Sequence, residues 1–182
     1  VGAVATYRPG EGRFGRGAVA VEEGTTNLYT TSEASFDSSI GTAAVWDPDP
    51  GVSPTLVCDN TVKRVGNGSL NITWPQSSSG GKRVRLASYR SLNAGVSYTF
   101  SVYLKCSSSV ASVISVGVDG ALGYPYFKLN TLPQDANGWY RFSYTITPSS
   151  AGGWAIFVNP SGANISSSVT IWADCQQLEQ KP

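Results

Sequence analysis

The chain has 182 residues and a formal net charge of +1, with 41% apolar and 14% charged residues. This length and composition fit a single all-β domain with a substantial core. The near-neutral charge and the lack of a basic run exclude a nucleic-acid partner, and no apolar segment has membrane-spanning length. Because the chain has no histidine, it cannot build a Ser-His-Asp relay or a histidine-ligated zinc site.

The first 26 residues differ from the rest of the chain. They are glycine-rich and basic, and we predict that residues 1–26 form a linker or N-terminal strap ahead of a folded module at 27–182. Gly12, Gly15 and Gly17 resemble a phosphate-binding loop only superficially, because no apolar strand precedes them and no helix follows. The chain lacks methionine even at position 1, so we expect it to be part of a larger multidomain protein or a proteolytically matured product.

From Asn27 onward, short apolar segments alternate with turn-forming residues at the spacing of an all-β sandwich or barrel. No ten-residue stretch shows helical apolar spacing. We therefore predict an antiparallel β-sandwich, most simply a jelly roll. The predicted strands are Leu28–Thr31, Ser53–Asn60, Ser69–Thr73, Lys82–Tyr89, Ser97–Ser107, Ser112–Asp119, Tyr126–Leu129, Trp139–Thr147, Trp154–Asn159 and Ser167–Leu178.

The strand around residue 100 has the clearest alternation. Its apolar residues face one way, whereas Tyr103 shares the other face with Thr99, Ser101 and Lys105. A tyrosine among hydroxyl groups and a charge suits a flat, hydroxyl-rich ligand such as a sugar.

The three cysteines lie far apart and form no Cys-x-x-Cys pair, which excludes a thioredoxin-like site or a zinc cluster. We expect Cys106 and Cys175 to be buried thiols that act as small hydrophobic residues. In an extracellular chain two of the three can pair, which would leave one free; Cys58 is the third.

Six segments occur in an order that resembles the family 4/9 group of carbohydrate-binding modules over residues 27–180. These segments are Asn27–Tyr29, Ala34–Asp37, Gly68–Ile72, Ala94–Lys105, Asn137–Phe142 and Val169–Asp174. Members of that group are β-jelly rolls appended to glycoside hydrolases, and similar modules occur in virion and surface proteins. The resemblance implies a non-catalytic module that binds a sugar chain in a cleft across its concave sheet.

The same resemblance implies positions for the site. Tyr103 matches an aromatic residue on the groove face, and Trp74 matches a stacking tryptophan near the cleft. The alternative for Trp74 is that it caps the sheet beside Pro75. Asp37 and Asp174 fall at the two acidic positions associated with one structural calcium ion, although each can equally cap a turn. Ser115 departs from the pattern, because some members carry a second aromatic residue there.

Further aromatic residues lie in or beside loops. Tyr124 and Tyr126 follow Asp119 in a glycine-rich segment, and Trp154 follows two glycines. The three aromatic residues and Asp119 are candidates for sugar binding. The alternative is that these rings fold back onto the core. Trp46, before a proline-rich turn, fits either role.

Two functions remain open from the sequence. The first is binding of a polysaccharide or cell-surface glycan by an extracellular or virion-borne module. The alternative is a structural domain of a virion, such as a phage tail, or of another surface assembly, with the same fold and with faces that contact other proteins. An enzyme is not expected, because glycoside hydrolysis needs two converging carboxylates and the acids here lie mostly in turns.

Overall fold

A computed structural model describes residues 27–46, 49–120, 125–160 and 165–180. The predicted N-terminal strap, residues 1–26, lies outside these ranges. In chain order the elements are α1 (Thr31–Ser35), β1 (Ala44–Val45), β2 (Thr55–Asp59), β3 (Ser69–Trp74), β4 (Val84–Arg85), β5 (Arg90–Leu92), β6 (Tyr98–Lys105), α2 (Ser108–Ala111), β7 (Ile114–Asp119), β8 (Tyr126–Lys128), a 3-10 turn (Leu129–Thr131), β9 (Trp139–Ile146), β10 (Gly152–Pro160) and β11 (Val169–Gln180).

The strands form two antiparallel sheets that pack face to face. One sheet has the order β1-β4-β10-β7-β8, with β5 also paired to β10, and the other has the order β2-β3-β11-β6-β9. Most neighbours in each sheet are not consecutive in sequence, as in a jelly roll; the exceptions are the pairs β2-β3 and β7-β8. The predicted all-β sandwich is confirmed. None of the helices within the described residues is long and apolar enough to cross a membrane.

Alternation along the strands builds the core between the sheets. On β6, the side chains of Tyr98, Phe100, Val102 and Leu104 are buried, and each is at most 2% exposed. Val102 and Leu104 lie opposite buried Phe142 and Tyr140 on β9, and Phe100 lies opposite buried Leu178 on β11. Each sheet therefore has one inner face in the core and one outer face, and only an outer face is available to a ligand.

Two predicted strands differ from the observed elements. The segment Leu28–Thr31 leads into α1 instead, because Glu33 and Thr30 form a capping box in which the Thr30 backbone N–H donates to Glu33 Oε2 at 3.0 Å. The predicted strand Lys82–Tyr89 is reduced to the two residues of β4, with β5 beginning at Arg90. Strand β1 was not predicted, because its two residues are too few to show a period.

Candidate functional site

The outer face of the six-stranded sheet, called here the six-stranded face, carries a row of residues that crosses five strands. Ala44, Arg85, Phe157, Gly117 and Tyr126 stand side by side in register, one from each of β1, β4, β10, β7 and β8. The residues that flank this row on β4, β7 and β10 point into the core. The row thus defines one continuous outward surface.

Three aromatic rings cluster on this face. Trp46 lies edge-on to Phe157 and to Tyr89, with ring centroids 5.9 and 6.0 Å apart respectively. Phe157 is fully buried beneath its neighbours, whereas Trp46 and Tyr89 are half-buried. The guanidinium carbon of Arg83 lies 5.1 Å from the Phe157 ring centroid, and that of Arg85 lies 5.0 Å from the Tyr89 centroid. Apolar rings and cationic groups therefore share one surface.

Arg83 is held by two carboxylates and a phenol. Its Nε and Nη2 donate to the two carboxylate oxygens of Asp49 at 2.5 and 3.0 Å, and its Nη1 donates to Asp119 Oδ2 at 2.7 Å and to the Tyr126 hydroxyl at 3.1 Å. Burial alone would lower the pKa of Arg83, but the bonds to Asp49 and Tyr126 raise it above its ordinary value. Burial also raises the pKa of Tyr126, and the Arg83 charge opposes that rise. The guanidinium group thus fixes three polar side chains in place.

A depression of about 420 Å³ lies next to this network, at the end of the face where β10 finishes. Its lining residues are Asp49, Pro50, Ser79, Gly80, Gly81, Arg83, Asn159 and Pro160. Asn159 donates through Nδ2 to the Pro160 carbonyl, whereas its Oδ1 is buried and has no hydrogen-bond partner among the described residues. The amide of Asn159 therefore keeps one unused hydrogen-bond acceptor, which is buried beside the depression.

Gly117, in the middle of the row, leaves room for β8 to pack closely against β7. A Cβ atom on this residue would lie 2.5 Å from the Pro125 carbonyl oxygen and 3.0 Å from Tyr126 Cδ1. A side chain at this position would displace β8, since one of the contacting atoms is backbone. The absence of a side chain thus permits Tyr126 to reach Arg83.

The outer face of the five-stranded sheet, called here the five-stranded face, carries the predicted Tyr103. The guanidinium carbon of Arg64 lies 3.7 Å from the Tyr103 ring centroid, and Arg141 Nη1 donates to the Tyr103 hydroxyl at 2.7 Å. The outward parity predicted for Tyr103 is confirmed. However, the ring already carries a guanidinium group where a sugar would stack.

Trp172 shares the five-stranded face. Its indole Nε1–H donates to Asp59 Oδ2 at 2.8 Å. Hydrogen bonds from Thr61 and Trp172 hold the pKa of Asp59 well below its usual range. This face thus pairs its aromatic residues with charged partners from the same sheet and from the loop after β2.

The two aspartates predicted to bind calcium both accept backbone amide hydrogens from one loop, residues 64–68. Asp174 Oδ2 accepts from Arg64 N at 2.8 Å and from Val65 N at 3.1 Å, and Asp37 Oδ1 accepts from Asn67 N at 2.6 Å. Calcium requires six or more oxygen ligands, and N–H donors cannot coordinate a cation. The described residues include no cluster of three or more potential metal ligands. These side chains as arranged do not fit a shared ion, and calcium stays a prediction of the resemblance.

Two tryptophans predicted to contact sugar are in the core. Trp74 is 0% exposed and its Nε1 donates to the Lys82 carbonyl at 2.8 Å, and Trp154 is 5% exposed. A Cβ atom on Gly120 would lie 2.2 Å from the Trp154 ring, so this glycine lets the chain pass directly over the indole. The expectation that these rings are stacking platforms was wrong for both. Tyr124 lies outside the described residues.

Of the predicted sugar-binding residues, the structure brings Asp119 and Tyr126 together, joined through Arg83. Sequence patterns did not predict Arg83, Arg85, Tyr89 or Phe157 as site residues, and they left the role of Trp46 undecided. The sequence did contain one indication of this face. Arg83 and Arg85 alternate with apolar residues, so the two arginines must share a face.

The three cysteines are free thiols. Burial raises the pKa of Cys106 to about 11, and burial together with nearby carboxylates raises that of Cys58. The prediction that Cys106 and Cys175 are buried is confirmed. None of the three is set up as a reactive nucleophile.

No protein-family model and no curated protein match the chain. Among solved structures, the CBM22-2 xylan-binding domain of Xyn10C from Paenibacillus barcinonensis is similar, with a TM-score of 0.55 and 13% identity, covering 81% of this chain and 98% of that domain. The tandem CBM22-1–CBM22-2 domain of the same protein gives a TM-score of 0.59 at 13% identity, covering 86% of this chain and 50% of that one.

A third similar structure comes from a phage. The enzymatically active domain of tailspike protein 4 of bacteriophage CBA120 has a TM-score of 0.55 and 10% identity, covering 85% of this chain and 21% of that one. At these identities the likeness establishes the fold. The chain therefore shares the β-sandwich of carbohydrate-binding modules.

Proposed function

We propose that the chain is a non-catalytic carbohydrate-binding module that holds a polysaccharide or cell-surface glycan on its six-stranded face. The observation that carries this proposal is the clustering of Trp46 and Tyr89 beside the Arg83 network and the depression. Aromatic rings accept the apolar face of a pyranose, while charged and amide groups bind its hydroxyls. Both kinds of group lie here on one surface.

Each element of this face has a role in binding. The half-buried Trp46 ring provides the stacking platform, and in the described residues no cationic group lies over it. Asp49 and Asp119 present carboxylate oxygens as acceptors for sugar hydroxyls, and Arg83 fixes their positions. Because these groups are ordered before the ligand arrives, binding costs little conformational entropy.

The absence of catalysis is part of the proposal. A glycosidase sets two carboxyl groups about 5–10 Å apart across the scissile bond, and one of them acts as the acid. On this face, Asp49 and Asp119 both bind the guanidinium group of Arg83. They therefore act as fixed acceptors and not as an acid facing a nucleophile.

The similarity to xylan-binding domains supports the proposal and makes xylan the first ligand to test. We place the module outside the cell or on a virion, within a larger protein and next to a catalytic or adhesive domain. Its partner is a polysaccharide or surface glycan, and neither a nucleic acid nor a membrane is involved. The family 4/9 assignment is part of the same proposal.

Affinity electrophoresis against a panel of soluble polysaccharides, xylan included, tests the function. We expect the wild-type chain to be retarded by at least one polymer and to release no reducing ends from it on prolonged incubation. Release of reducing ends would overturn the non-catalytic assignment. Unretarded migration in every polymer would overturn carbohydrate binding.

The similarity to a tailspike domain favours one second candidate, a structural domain of a virion or surface assembly. In that case the six-stranded face would contact another protein subunit. Solution mass by light scattering distinguishes the two functions. A monomer that binds glycan supports the module, and a defined oligomer that binds none supports the structural domain.

A further inference from the structure

The two arginines of the six-stranded face differ in their partners. Arg83 donates to two carboxylates and a phenol. Arg85 lies two residues away on the same face, and its guanidinium group forms no ion pair or hydrogen bond within the described part of the chain. Its Nε is buried without a partner. Arg83 thus uses four of its five N–H donors, whereas Arg85 uses none within the described residues.

The surroundings of Arg85 hold it in place without neutralising it. Its cross-strand neighbours are Ala44 and Phe157, which offer no hydrogen-bonding side chain. Tyr89 lies beneath the guanidinium group at 5.0 Å from its ring centroid. Stacking on an aromatic ring orders the planar group and leaves its edge free to donate. An ordered, unpaired guanidinium edge is a binding site for an anion.

We propose that the six-stranded face selects polysaccharides that carry carboxylate groups, such as uronic acid units or side groups, and that Arg85 binds the carboxylate. This inference rests on the function proposed above. A planar carboxylate matches the fork of a guanidinium group with two parallel hydrogen bonds. A neutral sugar offers the guanidinium group no opposite charge, which disfavours it relative to a uronate.

The spacing of the face suits this role. Arg83 lines the depression just before β4 begins, and Arg85 is two residues further along the chain, in β4. Two residues of a strand span roughly 7 Å. A sugar ring in the depression and a carboxylate on Arg85 therefore lie within the reach of one short stretch of glycan.

The first test needs no variant. Glucuronoxylan, polygalacturonate and alginate are each compared with the same polymer after chemical reduction of its carboxyl groups, by calorimetry at fixed ionic strength. We expect the chain to bind at least one acidic polymer on the order of tenfold more tightly than its reduced form. Equal binding of both forms would overturn the carboxylate preference and leave carbohydrate binding standing. Failure to bind any polymer in either form would overturn both.

Variants locate the carboxylate. Arg85→Gln should abolish the preference for the acidic form while leaving affinity for the reduced form within about twofold, and Arg85→Lys should retain only part of it because lysine lacks the fork. The matched control is Arg141→Gln, which removes the same charge from the five-stranded face. If Arg141→Gln removes the preference as fully as Arg85→Gln does, the effect is one of net charge and the assignment to Arg85 is wrong. Thermal melting of each variant confirms that it is folded.

Discussion

The two outer faces of the sandwich carry similar residues in different arrangements. On the five-stranded face, Arg64 lies over the Tyr103 ring at 3.7 Å and Arg141 binds its hydroxyl. On the six-stranded face, Asp49 and Asp119 hold the Arg83 guanidinium group, and Trp46 remains half-buried. Exposure of an aromatic residue is therefore not enough for a binding site. What matters is whether a guanidinium group already covers the ring, as Arg64 covers Tyr103, or leaves it open, as at Trp46 among the described residues.

Trp74 belongs to neither outer face, because its side chain is buried in the core. Trp74→Ala should lower the free energy of unfolding by about 3–5 kcal/mol, because it empties a fully buried ring volume. Urea denaturation measures the change, with Trp46→Ala as the control that should cost less. A loss below about 1 kcal/mol would mean that the Trp74 ring is at the surface after all.

Replacing one arginine on each face tests whether the two faces differ in how their arginines stabilise the fold. Arg83→Gln should destabilise the chain by about 2 kcal/mol, since it leaves Asp49 and Asp119 without their partner. Arg141→Gln should change stability by less than about 0.5 kcal/mol, because Arg141 is exposed. Equal effects in chemical denaturation would contradict the view that Arg83 belongs to a built ionic network and Arg141 does not.

A smaller effect is expected at Trp172 on the five-stranded face. Trp172→Phe removes an indole donor that helps to keep the pKa of Asp59 below its usual range. A carboxylate with a lowered folded-state pKa adds stability above its ordinary pKa, and that stability is lost as the pH falls through the folded-state value. The variant should therefore raise the pKa of Asp59 and destabilise the chain at neutral pH but not at strongly acidic pH.

Side-chain carboxyl NMR shifts over a pH titration measure the pKa directly. An unchanged Asp59 titration in Trp172→Phe would show that the indole hydrogen bond does not matter in solution. Thr61→Val is the matched control, because it removes a second donor to the same carboxylate.

Calcium should have the smallest effect. The carboxylates of Asp37 and Asp174 accept backbone amide hydrogens from the loop at residues 64–68, so we expect the same melting temperature in chelator and in excess calcium. An ion bound only by the folded chain would raise the melting temperature with its concentration. Such a rise, lost in Asp174→Asn, would restore the ion that the family resemblance implies.

The parts of the fold that the sequence predicted are those with a sustained period. The alternation along Tyr98–Lys105 placed Phe100 inward and Tyr103 outward, and both placements are confirmed. Trp74 was misplaced because the predicted strand ended one residue too early. If the strand is extended by that residue, the alternation that buries Leu70 and Ile72 buries Trp74 as well.

The candidate site was harder to predict for a physical reason. The six-stranded face is assembled from β1 and β4, which have two residues each, and from β10, whose apolar run hides which residues face outward. Such segments show no period, and their pairing is set by contacts distant in sequence. Asp119 and Tyr126 were predicted as loop candidates, but their partner Arg83 emerges only from the three-dimensional pairing.

The most direct test of the account compares one aromatic residue from each face. Trp46→Ala and Tyr103→Ala are titrated by calorimetry with the polysaccharide that the wild-type chain binds most tightly. If the binding site lies on the six-stranded face, Trp46→Ala should lose affinity on the order of tenfold, and Tyr103→Ala should change it within about twofold, with both variants folded. Loss of binding in Tyr103→Ala together with unchanged binding in Trp46→Ala would place the site on the five-stranded face and contradict the account.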